Sequence, residues 1–433
     1  MKEHYLSYFQ KQKDGLCGKE FPWLKRIREE AISVFAKTGF PTTKDERWKH
    51  TDVSSIVQIP FELGNGAKKE FSNSTLDPFF PKNSKEFSSL FFVNGKLDQE
   101  RSNLNRLEGV KVKNFSQALR EDNDLLRKVF ESQTSFKNNP FLALNAAFME
   151  NGAFVFLPTS KRLEYPIYLI FVSSPTNDLT SFYSKNIVFA QEGSQASIVE
   201  MYVGPEKNRY FVNTATQIIV EVGASIEHTK IQLESEDAFH IGAVSVLQNR
   251  SSQFTSQSLS FGGALTRNDF CSVLNEEGGE CSLNGLYIAK GKQHVDHYTT
   301  IDHAKPHCMS RELYKGILDG HGHGVFTGKI IVRKDAQKSD AYQMNRNLLL
   351  SKDALIDTTP QLEIFANDVK CSHGATVGKL DEDELFYLRS RGLELNTARN
   401  LLVQGYTNEV IDLIKNKNVQ QHVKELVLQR LGA

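Results

Sequence analysis

Apolar positions in the first 150 residues recur at helical spacing. In "WLKRIREEAISVFAKTGFP", Ile27, Ala31, Val34 and Phe35 share one helical face, and Gly39 with Pro41 supplies a stop. "NFSQALREDNDLLRKVFES" repeats the pattern with Phe115, Leu119, Leu125, Leu126 and Val129, and predicts a second helical stretch. Between them "PTTKDERWKHTDVSSI" is polar and carries Trp48, an aromatic expected to pack on its own domain rather than to dock a partner.

From about residue 152 the grammar changes. "NIVFAQEGSQASIVEMYVG" and "TQIIVEVGASIEHTKIQLES" are short β-rich runs broken at single glycines, with Gly193 and Gly223 separated by 30 residues. "EGSQASI" at 192–198 returns as "EGGECSL" at 277–283, and no helical period intervenes until about residue 380. Many short strands on a weak period, with polar runs such as "SSQFTSQSLS" that can stack from coil to coil, favour a parallel β-helix over a β-sandwich. The tail is helical again. "LDEDELFYLRSRG" offers Asp381 as N-cap, Glu384 at the third helical position and Gly392 as a stop. "NTARNLLVQG", ending on Gly405, "TNEVIDLIKNK" and "VQQHVKELVLQRLGA" follow, the last with an apolar stripe of Val423, Leu426, Val427 and Leu431. Some fifty residues of short helices bury their stripes poorly alone, so the tail is expected both to cap the solenoid end and to present a docking face. The expected architecture is mainly β: a solenoid core over 151–378, between a mainly helical domain at 1–150 and a helical domain at 379–433.

Composition narrows the function. At 433 residues, with 39% hydrophobic and 24% charged positions, the chain is folded and too long for one ordinary core. Lys plus Arg equals Asp plus Glu at 52 each, which argues against a broad nucleic-acid surface. No apolar run approaches the roughly 20 residues of a membrane span, and the polar "MKEHYLSYFQKQKDGLCGKEF" lacks a signal-peptide core. The five cysteines (17, 271, 281, 308 and 371) are scattered and form no C-x-x-C, so reduced thiols in a cytoplasmic setting are expected. A closed zinc site from this chain alone is not; metal chemistry would need dispersed ligands or a partner's.

Three groups carry candidate chemistry. Cys371 and His373, in "DVKCSHGATVG", would share one face of a strand at about 7 Å, close enough to converge on one ion, with Lys370 favouring the thiolate. The spacing alone equally describes a buried cysteine beside a hydrogen-bonded histidine. "HVDHYTTIDHAKPHC" gathers His294, His297, His303, His307 and Cys308 with Asp296 and Asp302, but His294 and His297 fall on opposite strand faces, so the spacing does not converge on a metal. Cys308 and His307 remain secondary candidates. "DGHGHGVFTGKI" lacks the G-K-[ST] of a phosphate loop and is expected to be a tight corner with His321 and His323 exposed. No Walker A, GxGxxG or G-x-S-x-G motif is present, which speaks against an ATPase or serine hydrolase.

The run "MNRNLLLSKDALIDTTPQLEIFANDVKCSHGATVGKLDEDELFYLRSRG" closely resembles the SufB/SufD family of iron–sulfur cluster assembly proteins. "PTTKDERWKHTDV" resembles that family's N-terminal stretch, and "CSHGATVG" resembles the SufD branch rather than the "EHEAT"-like SufB branch. The resemblance implies a right-handed parallel β-helix flanked by helical domains. It also implies a non-catalytic scaffold subunit, in complex with a SufB-like paralogue through the β-helix and a SufC-like ATPase through the C-terminal helices. Carried onto this chain, it assigns Cys371 and His373 to cluster assembly at a subunit interface. Leu401, Leu402, Val410, Ile411, Leu413 and Ile414, apolar positions in the C-terminal helices, are the expected SufC-docking residues. Iron or a cluster would be held transiently and shared with the partner, with no tightly bound cofactor in the isolated chain, which could self-pair. Membranes and nucleic acids are not expected partners. The competing functions are a β-helix carbohydrate lyase or hydrolase, for which no export signal or convincing carboxylate set is present, and a histidine-rich metalloenzyme over 294–308.

Overall fold

The computed structural model describes residues 1–64, 76, 79, 80, 87–107, 109–132, 136–174, 179–204 and 207–431. Its core is a β-solenoid built of two ten-stranded sheets. Successive strands from Ala153–Leu157 to Lys370–Gly378 alternate between the sheets, and each pairs in parallel with the strand one coil away. The register is strict: Gln195, Ser225, Gln253, Glu280, Met309, Asp340 and Lys370 stack in one column.

One corner explains the glycine period. Gly193, Gly223, Ser251, Gly278, His307 and Lys338 occupy equivalent turns, all at positive φ between 53° and 73°. Each backbone N–H donates to a carbonyl of the next coil, from Gly193 to Val222 through to Lys338 to Asp368. Glycine reaches this left-handed conformation without a Cβ penalty, and the repeated "EGSQASI" and "EGGECSL" mark two copies of the same corner.

The solenoid is covered on both flanks. Outward residues of one sheet, among them Tyr183, Ile187, Phe211, Phe239 and Leu265, merge with Tyr5, Phe9, Trp23, Leu24 and Phe35 of the N-terminal helices. Outward residues of the other sheet, including Val199, Met201, Ile231, Leu286 and Ile317, merge with Val403, Val410, Ile414, Val423 and Val427 of the tail. Trp48 is buried, with its ring centroid 5.3 Å from that of Phe141 in its own N-terminal unit as expected, and the Arg267 guanidinium of the solenoid also lies 3.9 Å above it.

Several boundaries differ from the sequence reading. Strands Ser88–Val93 and Lys111–Asn114 lie within the first 150 residues yet join the two solenoid sheets, so the N-terminal unit is not purely helical. The helical stretch after Asn114 splits into Phe115–Glu121 and Asn123–Ser132 at Asp122, whose carboxylate is held by Lys111 and Lys113. Gly405 does not stop a helix: Leu395–Ile411 runs through it, because the buried face formed by Ala398, Val403, Val410 and Ile411 outweighs the glycine cost of about 1 kcal/mol. Asp381 does cap Glu382–Ser390, accepting from the N–H groups of Asp383 at 2.8 Å and Glu384 at 3.1 Å. The tail lies along the flank of the second sheet and leaves the last coil uncapped. No helix among the described residues is long and apolar enough to cross a membrane.

The lumen mixes apolar and polar columns. Glu200 accepts from Thr216 at 2.7 Å and Tyr202 at 2.9 Å and lies 3.2 Å from His228. Lys230 donates to Asn268 at 2.6 Å, and burial pushes its ammonium down to about 8. His297 and His303 also point inward, held neutral chiefly by burial, at about 3 and about 4. An unfolded imidazole takes its proton near 6.5, so at intermediate pH the unfolded chain binds more protons than the folded one. Their contribution is complete above pH 6.5 and is lost as the pH falls toward these folded values. Unfolding free energy should therefore decline on acidification from pH 6.5 to 4.5, by up to about 1.4 kcal/mol per pH unit for each histidine. Urea denaturation across that range checks it: the slope should be shallower in His297→Gln, and an unchanged slope would refute the assignment.

Candidate functional site

The strand Lys370–Gly378 carries both residues of the sequence-level pair and is the outermost strand of its sheet, hydrogen-bonded to Asp340–Leu349 on one side only. Register sets where its side chains go. Cys371 stacks on Ala341 and His373 on Gln343, and both partners are buried in the lumen column. Cys371 and His373 therefore face inward at the open mouth of the solenoid, on one side of the strand as alternation requires. Cys371 is half-buried against the lumen core, while His373 is exposed.

The electrostatics differ from the expectation for Lys370. Burial pushes the Cys371 thiol up, the Ala341 backbone pulls it down and the Asp340 carboxylate pushes it up again, for a net rise. At neutral pH the sulfur therefore keeps its proton. Beneath the mouth, Gln343 donates to Glu312 at 2.6 Å, and burial pushes the Glu312 carboxyl up to about 7. Thr358, from the outermost strand of the other sheet, donates to Asn345 at 2.8 Å, so both sheets contribute polar groups to the floor. The motif search missed Glu312 and Gln343; their only sequence signal is that each lies one coil before the next, in the column ending at His373.

The rim is open and mixes exposed apolar groups with exposed polar ones such as Glu363, Asp368 and Lys370. Leu355 is 60% exposed and Phe365 63%, and Ile364 and Val377 are exposed beside them. An unpaired strand edge beside exposed apolar groups is a feature that folded proteins usually cover or blunt. Among the described residues no group of three or more His, Cys, Asp or Glu side chains could hold a metal ion.

The other candidates disperse. Cys308 is buried, donates from Sγ to the Glu276 carbonyl at 3.3 Å and is kept protonated by burial. His307, its neighbour, is an exposed corner residue at φ 60°. One is exposed and the other buried, so the two do not converge on one site. Of the tail residues, Val410, Ile411 and Ile414 are fully buried and fasten the tail to its own solenoid, which removes them from any partner surface. Leu401 and Leu413 are exposed, and Leu402 is half-buried. Leu401 and Leu402 line a cleft with Thr376, Val377 and Gly378, so the tail's free face runs into the open strand. His321 is exposed as expected, but His323 is engaged by Asp357 and His294.

The sequence has close kin. Residues 171–406 match the SUF system FeS cluster assembly, SufBD core domain, and residues 1–169 match the SufBD protein N-terminal region. An iron-sulfur cluster assembly SufBD family protein of Synechocystis is 31% identical over 96% of this chain and 93% of its own length. The iron-sulfur cluster assembly protein SufD of Escherichia coli is 28% identical over 93% of this chain and 92% of its own. A chloroplastic protein of Arabidopsis thaliana is 30% identical over 93% of this chain and 86% of its own. With both family regions matched across the solenoid and the N-terminal unit, the chain belongs to the SufB/SufD family of iron–sulfur cluster assembly proteins, in its SufD branch.

Proposed function

We propose that this chain is a SufD-type scaffold subunit that supplies half of a cluster-assembly site and performs no catalysis of its own. The observation that carries the reading is the uncapped last coil, where a half-buried thiol and an exposed imidazole face the mouth beside exposed apolar groups of the rim. A SufB-type paralogue seated on that edge would pair the free strand, cover the rim and add the missing ligands. Without it, a second copy of this chain is the natural occupant of the same edge. Iron or a nascent cluster is then cargo, bound while the interface is assembled and released afterwards. Thiolate and imidazole suit that cargo, and its binding would displace the Cys371 proton.

The remaining assignments follow from the exposed surfaces. A SufC-type ATPase docks on the outer face of the tail, through Leu401, Leu402 and Leu413, and ATP hydrolysis stays in that partner. The cleft shared by Leu401, Leu402 and the terminal strand gives a physical route from the docked ATPase to the mouth. The complex supports iron acquisition and de novo cluster formation in the cytoplasm.

Cys371→Ala should reduce cluster formation in cells at least several-fold, while thermal stability and co-purification with both partners persist; normal iron and sulfide content in the mutant complex would exclude a direct role. On the tail, Leu401→Asp and Leu413→Asp should each weaken ATPase co-purification with little change in melting temperature. Ile411→Asp should instead destabilise the fold by about 3–5 kcal/mol, since it buries an unpaired charge. Undiminished ATPase binding in a Leu401→Asp/Leu413→Asp double mutant would move the docking face elsewhere.

A further inference from the structure

The two histidine-rich runs meet on neighbouring coils. His294 and His323 begin successive strands of one sheet and stand in register on its outer face. Their Nδ1 atoms are 3.2 Å apart, with the rings nearly perpendicular at 86°.

The opposite nitrogens decide which protons these rings carry. His323 Nε2 lies 2.8 Å from Asp357 Oδ2, and a carboxylate only accepts, so that nitrogen bears the hydrogen. His294 Nε2 lies 2.9 Å from Thr51 Oγ1. The Thr51 hydroxyl has a single proton and gives it to Asp296 Oδ2, which also receives the Arg267 guanidinium. Thr51 Oγ1 is therefore an acceptor toward His294, and His294 Nε2 bears the hydrogen. A neutral imidazole has one N–H, so both Nδ1 atoms present lone pairs to each other across 3.2 Å. Facing lone pairs repel unless a cation lies between them.

We propose that His294 and His323 form a binding site for a first-row divalent metal ion, coordinated through their two Nδ1 atoms. Metal–nitrogen bonds of about 2.1 Å spanning this separation meet at roughly a right angle, which suits tetrahedral or octahedral coordination. Imidazole donors select zinc, copper, nickel and iron over magnesium or calcium. Thr51 and Asp357 grip each ring by its far nitrogen, the support that fixes tautomer and orientation in metal-bound histidines. Among the described residues no third side chain completes the set, so water fills the remaining positions, reached past the partly exposed His323. A further imidazole, His50, is held by the same Asp357 at 3.3 Å. Through Thr51 the ion would bear on the N-terminal segment that crosses this face. The site is separate from the mouth, since His294 and His323 point outward from one sheet and Cys371 and His373 point inward from the other.

The test uses the full chain carrying Cys371→Ala and His373→Ala, freed of metal by chelation and given one equivalent of Cu²⁺. Electron paramagnetic resonance should show hyperfine structure from two imidazole nitrogens. Zn²⁺ should compete for the same site in calorimetry. His323→Gln and His294→Gln should each weaken binding at least tenfold, and His321→Gln, an exposed neighbour, should leave it unchanged. His323→Gln alters a partly exposed ring, so it decides the matter should His294→Gln fail to fold by circular dichroism. Equal Cu²⁺ affinity and spectrum in His323→Gln, or no binding by the parent chain, would overturn the proposal.

Discussion

In-register stacking of each coil on the one before is the constraint on which the rest of this structure depends. Parallel pairing fixes the strand spacing and places every residue over its counterpart one coil earlier. A lumen position therefore repeats as a lumen position, and a corner repeats as a corner. The left-handed turn at Gly193, Gly223 and Gly278 is a backbone requirement of the corner, which Ser251, His307 and Lys338 meet at the cost of an unfavourable φ. Polar groups in the lumen are bound by the same rule. Glu312 meets Gln343 one coil away through register, and Glu200 and Lys230 meet Thr216 and Asn268 of the opposite sheet across the lumen.

Stacking also creates two problems that the flanking segments divide between them. Each sheet exposes an apolar outer face, and the helical units at either end of the chain cover one face each. Neither covers the terminal strands, Leu355–Ile364 and Lys370–Gly378. A solenoid without a terminal cap exposes unpaired backbone and apolar side chains together, a combination natural proteins usually blunt. Here the edge stays open, and the thiol and imidazole stand just inside it.

Both candidate metal-binding pairs lie near the same end of the solenoid, and stacking builds them differently. The mouth pair sits two residues apart on one strand, where alternation puts both side chains on one side. The outer pair comes from residues one coil apart, where register puts Nδ1 against Nδ1. Arg267 links the second pair to the N-terminal helices: it lies over Trp48, bonds Asp296 and through it polarises Thr51. The polar segment around Trp48 is thus a clamp, with its aromatic buried and its hydroxyl holding a histidine.

Local information in the chain was enough for the three-part order of helices, solenoid and helices, for the caps at Asp381 and Gly39, and for the shared face of Cys371 and His373. Those features depend on period, on capping chemistry and on strand alternation, each acting over a few residues. The roles of Val410, Ile411 and Ile414 were not legible, because an apolar stripe reads the same whether it packs inward or faces a partner. Nor was the separation of Cys308 from His307, since the burial of one and the exposure of the other depend on how the corner packs against the neighbouring coils. The column Glu312–Gln343–His373 and the meeting of His294 with His323 needed the coil register, which the tertiary structure settles by pairing backbones about thirty residues apart. Short-range spacing determined which residues could act together on one strand; stacking decided which residues met between coils, because contact across coils depends on the length of every intervening turn.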